Sequence, residues 1–256
     1  ISAALGNSLV AGMWRISEAG TLENLEVPPR NLNLEIKPYG LGNVTTNRVT
    51  TPPTKNDAEG EFGVDVKVGI TNNLTADFTY NTDFAQVEVD ERQVNLTRFN
   101  LFFPEKREFF LEGEGNFDFS QPRNLDIPTM FFSRRIGLEQ GQIVPIDAGA
   151  RVTGKIGNFD IGALNINTDG DNFSNIESTG FSVLRVKRDI FSRSTIGAIF
   201  TDRSESLVGD GSNQLYGIDG SFDFLDDFSI DTYLAKTDSP DLNGEDKSYM
   251  ANFDYN

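Results

Sequence analysis

Neither cysteine nor histidine occurs among the 256 residues. The first absence excludes disulfides, thiolate nucleophiles and zinc–sulfur sites. The second removes the usual general base and the commonest transition-metal ligand, so Ser-His-Asp, Cys-His and His-Glu-x-x-His chemistries are excluded with it. Positive charge is also short. Lys and Arg number 22 against 39 Asp and Glu, a formal net charge of −17. Such a field repels phosphates and excludes nucleic acid as a partner. No apolar run approaches the ~18 residues of a transmembrane helix. That leaves membrane strands open, since these span only about 9–11 residues and alternate in polarity. The chain opens at Ile1 with no basic leader, so a signal peptide is expected to have been removed or to lie outside it.

What is present suits strands joined by turns. There are 21 Phe and 24 Gly, with abundant Thr, Val, Asn and Asp. Period-two alternation is the strongest signal. Leu32, Leu34 and Ile36 alternate with Asn33, Glu35 and Lys37. Phe62, Val64, Val66, Val68 and Ile70 share one face, with Asp65 and Lys67 opposite. After a Thr71-Asn72-Asn73 turn, Leu74, Ala76, Phe78 and Tyr80 continue that pattern against Asp77 and Thr79. The rhythm returns at Ile146–Ile156, turns at Gly157-Asn158, and recurs in 180–188, 193–202, Tyr216–Phe224, Phe228–Leu234 and Tyr249–Tyr255. This template gives roughly ten strands.

The predicted connections alternate in length. Those at 71–73, 157–158, 189–192 and 226–227 are short; those at 41–60, 168–179, 203–213 and 238–247 are longer and polar. Short turns at one end and long loops at the other are the pattern of an outer-membrane barrel. Tyr80, Tyr216, Phe224, Phe228, Tyr249 and Tyr255 fall near strand ends, where aromatic girdles sit. The expected fold is therefore all-β: an antiparallel up-and-down transmembrane β-barrel, or a large fragment of one. A soluble β-sandwich or barrel is the alternative.

Segment 91–144 interrupts the rhythm and holds nine of the 21 Phe beside dense charge. Water-exposed phenylalanines on that scale are unfavourable. The expectation is one barrel domain over 1–256 with 91–144 folded into its mouth as a plug; two further wall strands are the alternative. On strand 84–92, alternation puts Glu88 and Asp90 on one face and Val87 and Val89 on the other. If the valines meet lipid, the acids face the lumen. There they join Arg98, Glu105, Arg107, Glu112, Arg134 and Arg135 as candidates for an ion-pair network that pins the plug. Two other readings stay open: a hard-cation site on Glu88, Asp90 and Glu91, and a carboxylate pair for glycoside hydrolysis. Asp169-Gly170-Asp171-Asn172 lacks the spacing and closing Glu of a calcium loop.

Four blocks carry a resemblance. They are Asp83-Phe84-Ala85-Gln86-Val87-Glu88-Val89-Asp90-Glu91 with Gln93–Phe99; Phe102-Phe103-Pro104-Glu105-Lys106-Arg107 with Phe109–Gly113; Phe132–Gly137; and Gly149–Gly154. Over about 81–157, and more weakly over most of the chain, the sequence resembles the C-terminal barrel region of proteins carrying domain of unknown function 5916. Thr82 stands where that family usually has Pro. The resemblance implies a bacterial outer-membrane location and a barrel longer than this chain, so a truncation at Asn256 is expected. The family's N-terminal carbohydrate-binding-like sandwich is not expected here, because strands begin by about residue 31. Some members are labelled hydrolases, without a catalytic motif in this sequence to match. The expected function is passage or surface handling of a solute, a saccharide-derived one first. The alternatives are a membrane-bound carboxylate-dependent hydrolase and a soluble β-rich binding domain. Outer-membrane lipid is the expected surrounding; no catalytic residue, metal or cofactor is expected, and protein partners are not legible.

Overall fold

A computed structural model describes residues 33–47, 54–82, 104–120, 128–139, 142–170, 176–191, 193–224, 228–242 and 246–255. They belong to one compact unit, Leu32–Asn256. Glu88, Asp90, Glu91 and Arg98 lie outside the described residues.

The strands are β1 (Leu34–Asn47), β2 (Thr54–Thr71), β3 (Leu74–Tyr80), two-residue β4 (Leu138–Glu139) and β5 (Gln142–Ile143), β6 (Ile146–Ile156), β7 (Phe159–Thr168), β8 (Thr179–Ile190), β9 (Ser194–Arg203), β10 (Asn213–Phe224), β11 (Phe228–Asp238) and β12 (Lys247–Tyr255). A single-turn helix α1 (Glu108–Leu111) and two 3-10 turns, Glu114–Phe117 and Ser133–Arg135, lie between β3 and β6. Ten strands make one antiparallel sheet in the order β1-β2-β3-β6-β7-β8-β9-β10-β11-β12, and β4–β5 form a separate ribbon. Every neighbouring pair in the large sheet is consecutive in sequence except β3 and β6, which pair directly, Asp77 with Arg151. The intervening segment therefore interrupts the chain but not the sheet.

The local causes are those of ordinary hairpins. Gly157 has φ +60° while Asn158 stays at negative φ, as a two-residue type II′ turn requires. It closes Ile156 against Phe159. Connections on that side are 72–73, 157–158, 191–193 and 225–227; on the other side they are 48–53, 81–145, 169–178, 204–212 and 239–246. The alternation of short and long connections is thus present, with one correction. Residues 41–60, expected as a long polar connection, are mostly strand, paired from Leu41↔Glu61 to Thr45↔Asp57. Continuation of the ladder outweighs the low strand propensity of glycine and asparagine there. A second correction concerns closure. Among the described residues, β1 and β12 are the sheet edges and do not pair with each other. The architecture is an open ten-stranded antiparallel sheet, because a closed barrel needs those two edges hydrogen-bonded in matched register.

The faces differ in chemistry. One carries Ile36, Phe62, Phe78, Tyr80, Leu184, Ile196, Tyr216, Ile218, Leu234, Phe253 and Tyr255, all exposed. Leu74 and Ala76, expected among them, are buried; Ala76 is in register with the larger Val68 and Val152, which flank its methyl. The other face carries Lys67, Asp77, Arg151, Arg185 and Asp219, and the inserted segment packs on it. The hydrophobic core lies between the two. Phe110, Phe117, Phe119 and Ile136 of the insert meet Leu164, Ile166, Val183, Ile199, Leu215 and Tyr233 of the sheet. On β7 the inner side is accordingly apolar at Leu164 and Ile166, the reverse of the charge-inward pattern of β2 and β3.

Candidate functional site

Three arginines organise the layer between insert and sheet. Arg151 of β6 is in register with Asp77 of β3 and bonds its carboxylate through Nη2 at 2.8 Å and Nε at 3.2 Å. Its Nη1 donates to the backbone carbonyls of Phe109 and Glu112, and its guanidinium lies 5.0 Å from the Phe109 ring. Around it, Lys67 of β2 pairs with Glu112, and Lys37 of β1 pairs with Glu108 at 2.8 Å. That lysine holds the Glu108 carboxyl below the usual carboxylate range.

The second arginine belongs to the insert. Arg107 pairs with Glu105, Nη2 at 2.8 Å and Nε at 2.9 Å, and donates to the carbonyls of Ser133 and Ile136 at 2.8 and 2.6 Å. Ser133 Oγ donates to the same carboxylate at 2.8 Å. Both charged side chains are fully covered, and Arg107 sits 4.1 Å over the Phe110 ring. Burial pushes the Glu105 carboxyl up, but the Arg107 hydrogen bonds and charge, the Arg107 backbone N–H and Ser133 together outweigh it and hold it below its ordinary range. The motif thus staples residues 105–107 to 133–136.

The third is Arg185 of β8. It crosses β9 at Gly197, where a Cβ would stand 2.4 Å from Nη1, and meets Asp219 of β10 in a two-pronged bond at 2.6 and 2.7 Å. Nε donates to the carbonyl of Asp118 at 3.0 Å, and Asp219 accepts from the Ser120 backbone N–H at 3.1 Å. Arg185 is also 5.3 Å from the Phe119 ring. Glycines receive the aromatic rings. A Cβ on Gly162 would lie 2.9 Å from Phe117, and one on Gly217 would lie 2.8 Å from Phe119. Each arginine therefore joins a carboxylate, at least one insert backbone carbonyl and an insert phenylalanine.

Among the candidates read from sequence, Glu105 and Arg107 pair with each other. Glu112 pairs with Lys67 and stands 3.9 Å from Arg151, and among the described residues it pairs with no insert arginine. Arg134 is buried, and Arg135 is exposed. Asp77, Arg151, Arg185 and Asp219 were not among the candidates. Alternation already put Asp77 opposite an apolar face, but the partners of these residues depend on register between strands far apart in sequence.

The carboxylates of Asp77, Glu105, Glu112 and Asp219 are each tied to a cation, so these four serve to hold the insert rather than as free general acids or bases. Among the described residues no group of three acidic side chains could hold a metal ion, and no helix is long and apolar enough to cross a membrane. A separate cleft of about 880 Å³ opens at the long-connection end, between residues 129–138 of the insert and the ends of β8, β9 and β10.

The family model described as "Domain of unknown function (DUF5916)" matches residues 28–155. No curated protein and no solved structure matches the chain. The family match spans β1 to β6 and takes in the Asp77–Arg151 and Glu105–Arg107 pairs. With half of its length matched, the chain belongs to the domain of unknown function (DUF5916) family.

Proposed function

We propose that the sheet is wall of a bacterial outer-membrane β-barrel, that the clamped segment is its inner insert, and that a solute is passed or handled at the long-connection mouth. One observation carries this reading: the apolar face opposite the insert is exposed across all the strands, from Ile36 of β1 to Phe253 of β12. A water-soluble sheet covers such a face with a second layer. Lipid is the covering that needs no further protein.

The polar residues on that face support the same view. Asn165, Asn167, Asp202, Gln214 and Lys236 stand toward the long-connection ends of β7, β9, β10 and β11, and Arg188 of β8 stands at the short-connection end. Below them on β10 come Tyr216, Ile218, Phe222 and Phe224. From Tyr216 to Phe224 is about 27 Å along the strand at ~3.4 Å per residue, the scale of the ~25 Å apolar band of outer-membrane barrels. The aromatic pairs Phe200–Tyr216 and Phe224–Phe228 lie at its two margins.

The test is folding from urea into phosphatidylcholine vesicles. The proposal expects strand signal and protease protection only when lipid is present. A monodisperse, fully folded chain in plain buffer would overturn it.

A further inference from the structure

Among the described residues, the outer face carries a single charge away from its long-connection end. By register, Phe159, Arg188 and Ile196 stand side by side on that face, and Arg188 is exposed. The other charged side chains that alternation puts there, Asp202, Lys236, Asp238 and Lys247, all lie at the long-connection end. Arg188 lies toward the short connections, two residues from the end of β8 at Ile190. It makes no ion pair among the described residues. The neighbouring carboxylates, Asp160 and Asp189, belong to the opposite face, where Lys155 holds them at 3.7 and 2.6 Å. The Arg188 guanidinium instead lies over the Phe159 ring, 5.1 Å from its centre.

The short connections mark a level across the sheet. In register, the β8–β9 hairpin runs two residues beyond β6–β7, and β10–β11 runs two beyond β8–β9. A step of two residues, ~7 Å, for every two strands, ~10 Å, is a slope of about 35°, within the ~35–45° strand tilt of outer-membrane barrels. Phe159 follows its turn directly, so the guanidinium over its ring sits near that level. Phe191, the first residue of the β8–β9 connection, has φ +54° and is 87% exposed. A left-handed backbone is unusual for so bulky a side chain. Water offers a phenyl ring nothing there, whereas a membrane interface accommodates it.

We infer that Arg188, with Phe159 under its guanidinium and Phe191 at the tip of the same hairpin, binds the phosphate of a membrane phospholipid. The inference rests on the lipid-covered wall proposed above and names one headgroup contact of that wall. A guanidinium on a lipid face is costly at the bilayer midplane and tolerated at the interface. There its apolar stem lies along the wall while its head meets the polar layer. Its fork of N–H donors fits two phosphate oxygens at once. With no carboxylate on that part of the face among the described residues, the lipid phosphate supplies the counter-charge.

The experiment uses the full chain folded in dodecyl maltoside micelles, a detergent without phosphate, and counts bound lipid by native mass spectrometry. The probes are dioleoyl phosphatidylglycerol, dioleoylglycerol and inorganic phosphate. Phosphatidylglycerol is expected to bind about tenfold or more tighter than dioleoylglycerol, and equimolar inorganic phosphate is expected not to displace it. Arg188→Gln is expected to bring phosphatidylglycerol down to the dioleoylglycerol level, and Arg188→Lys to recover part of the loss. Phe191→Ser is expected to weaken both lipids alike. Lys247→Gln, at a cation of the same face but the opposite end, is expected to change nothing. Equal retention of the two lipids, an unaltered Arg188→Gln variant, an equal loss in Lys247→Gln, or displacement by inorganic phosphate would overturn the inference. Insertion into phosphatidylcholine vesicles is scored separately. Insertion without phosphate preference removes the site and keeps the membrane wall; phosphate preference in a chain that fails to insert removes the wall and keeps the site.

Discussion

Arg185 illustrates how single side chains hold the insert down. It spans a glycine on β9 to reach Asp219, and both groups also bond insert backbone. Removing one partner strands the other charge under the insert. Asp219→Ala or Arg185→Ala should each destabilise docking by about 3–5 kcal/mol, read as lost hydrogen-exchange protection over 117–120. The double variant should cost less than the two singles added, because neither stranded charge remains. Strict additivity would show that the pair is not coupled. Glu105 adds a pH dependence. Its carboxyl is held below its ordinary value, so its contribution is present above that value and is lost as pH falls through the lower, folded one. The stability gap between wild type and Glu105→Gln should therefore be full at neutral pH and shrink on acidification below the ordinary carboxylate range. A gap that widens on acidification would contradict the sign. At this scale the sequence was half legible. Glu105 and Arg107 are two residues apart and were readable as partners, whereas Asp77 and Arg151, in register across β3 and β6, are brought together only by the skipped segment.

At the scale of elements, glycines on the sheet are seats for insert phenylalanines. Gly217 lies under Phe119, which also meets Tyr233 edge-on at 5.7 Å. Gly217→Val should push that ring off its seat and cost about 1–3 kcal/mol, raising exchange in 114–120 while leaving the β10–β11 ladder protected. Loss of ladder protection instead would mean the substitution breaks the strand and not the docking. Alternation gave the hairpins of β2–β3, β6–β7 and β10–β11, because a two-residue period survives any tertiary context that keeps one face apolar. It was misleading in 41–60, where polar and glycine-rich residues are carried as strand by the opposite ladder. It was silent on the insert, whose shape is set by arginine-to-carbonyl bonds with no period at all.

At the scale of the whole molecule, the two faces make one statement. The inner face is charged, clamped and covered; the outer face is largely apolar, aromatic at its margins and exposed among the described residues. The ten-stranded antiparallel sheet was legible from the strand count and the alternating connections, while its open edges were not, since whether β1 and β12 meet is a matter that no local pattern encodes. The central claim is that lipid covers the outer face. Spin labels placed one at a time at Phe78, Ile218 and Leu234 on the outer face, and at Lys67 and Asp231 on the inner, test it in vesicles. A lipid-covered face gives high oxygen and low nickel-chelate accessibility at the three outer sites and not at the inner two. Equal nickel-chelate access at all five would contradict it.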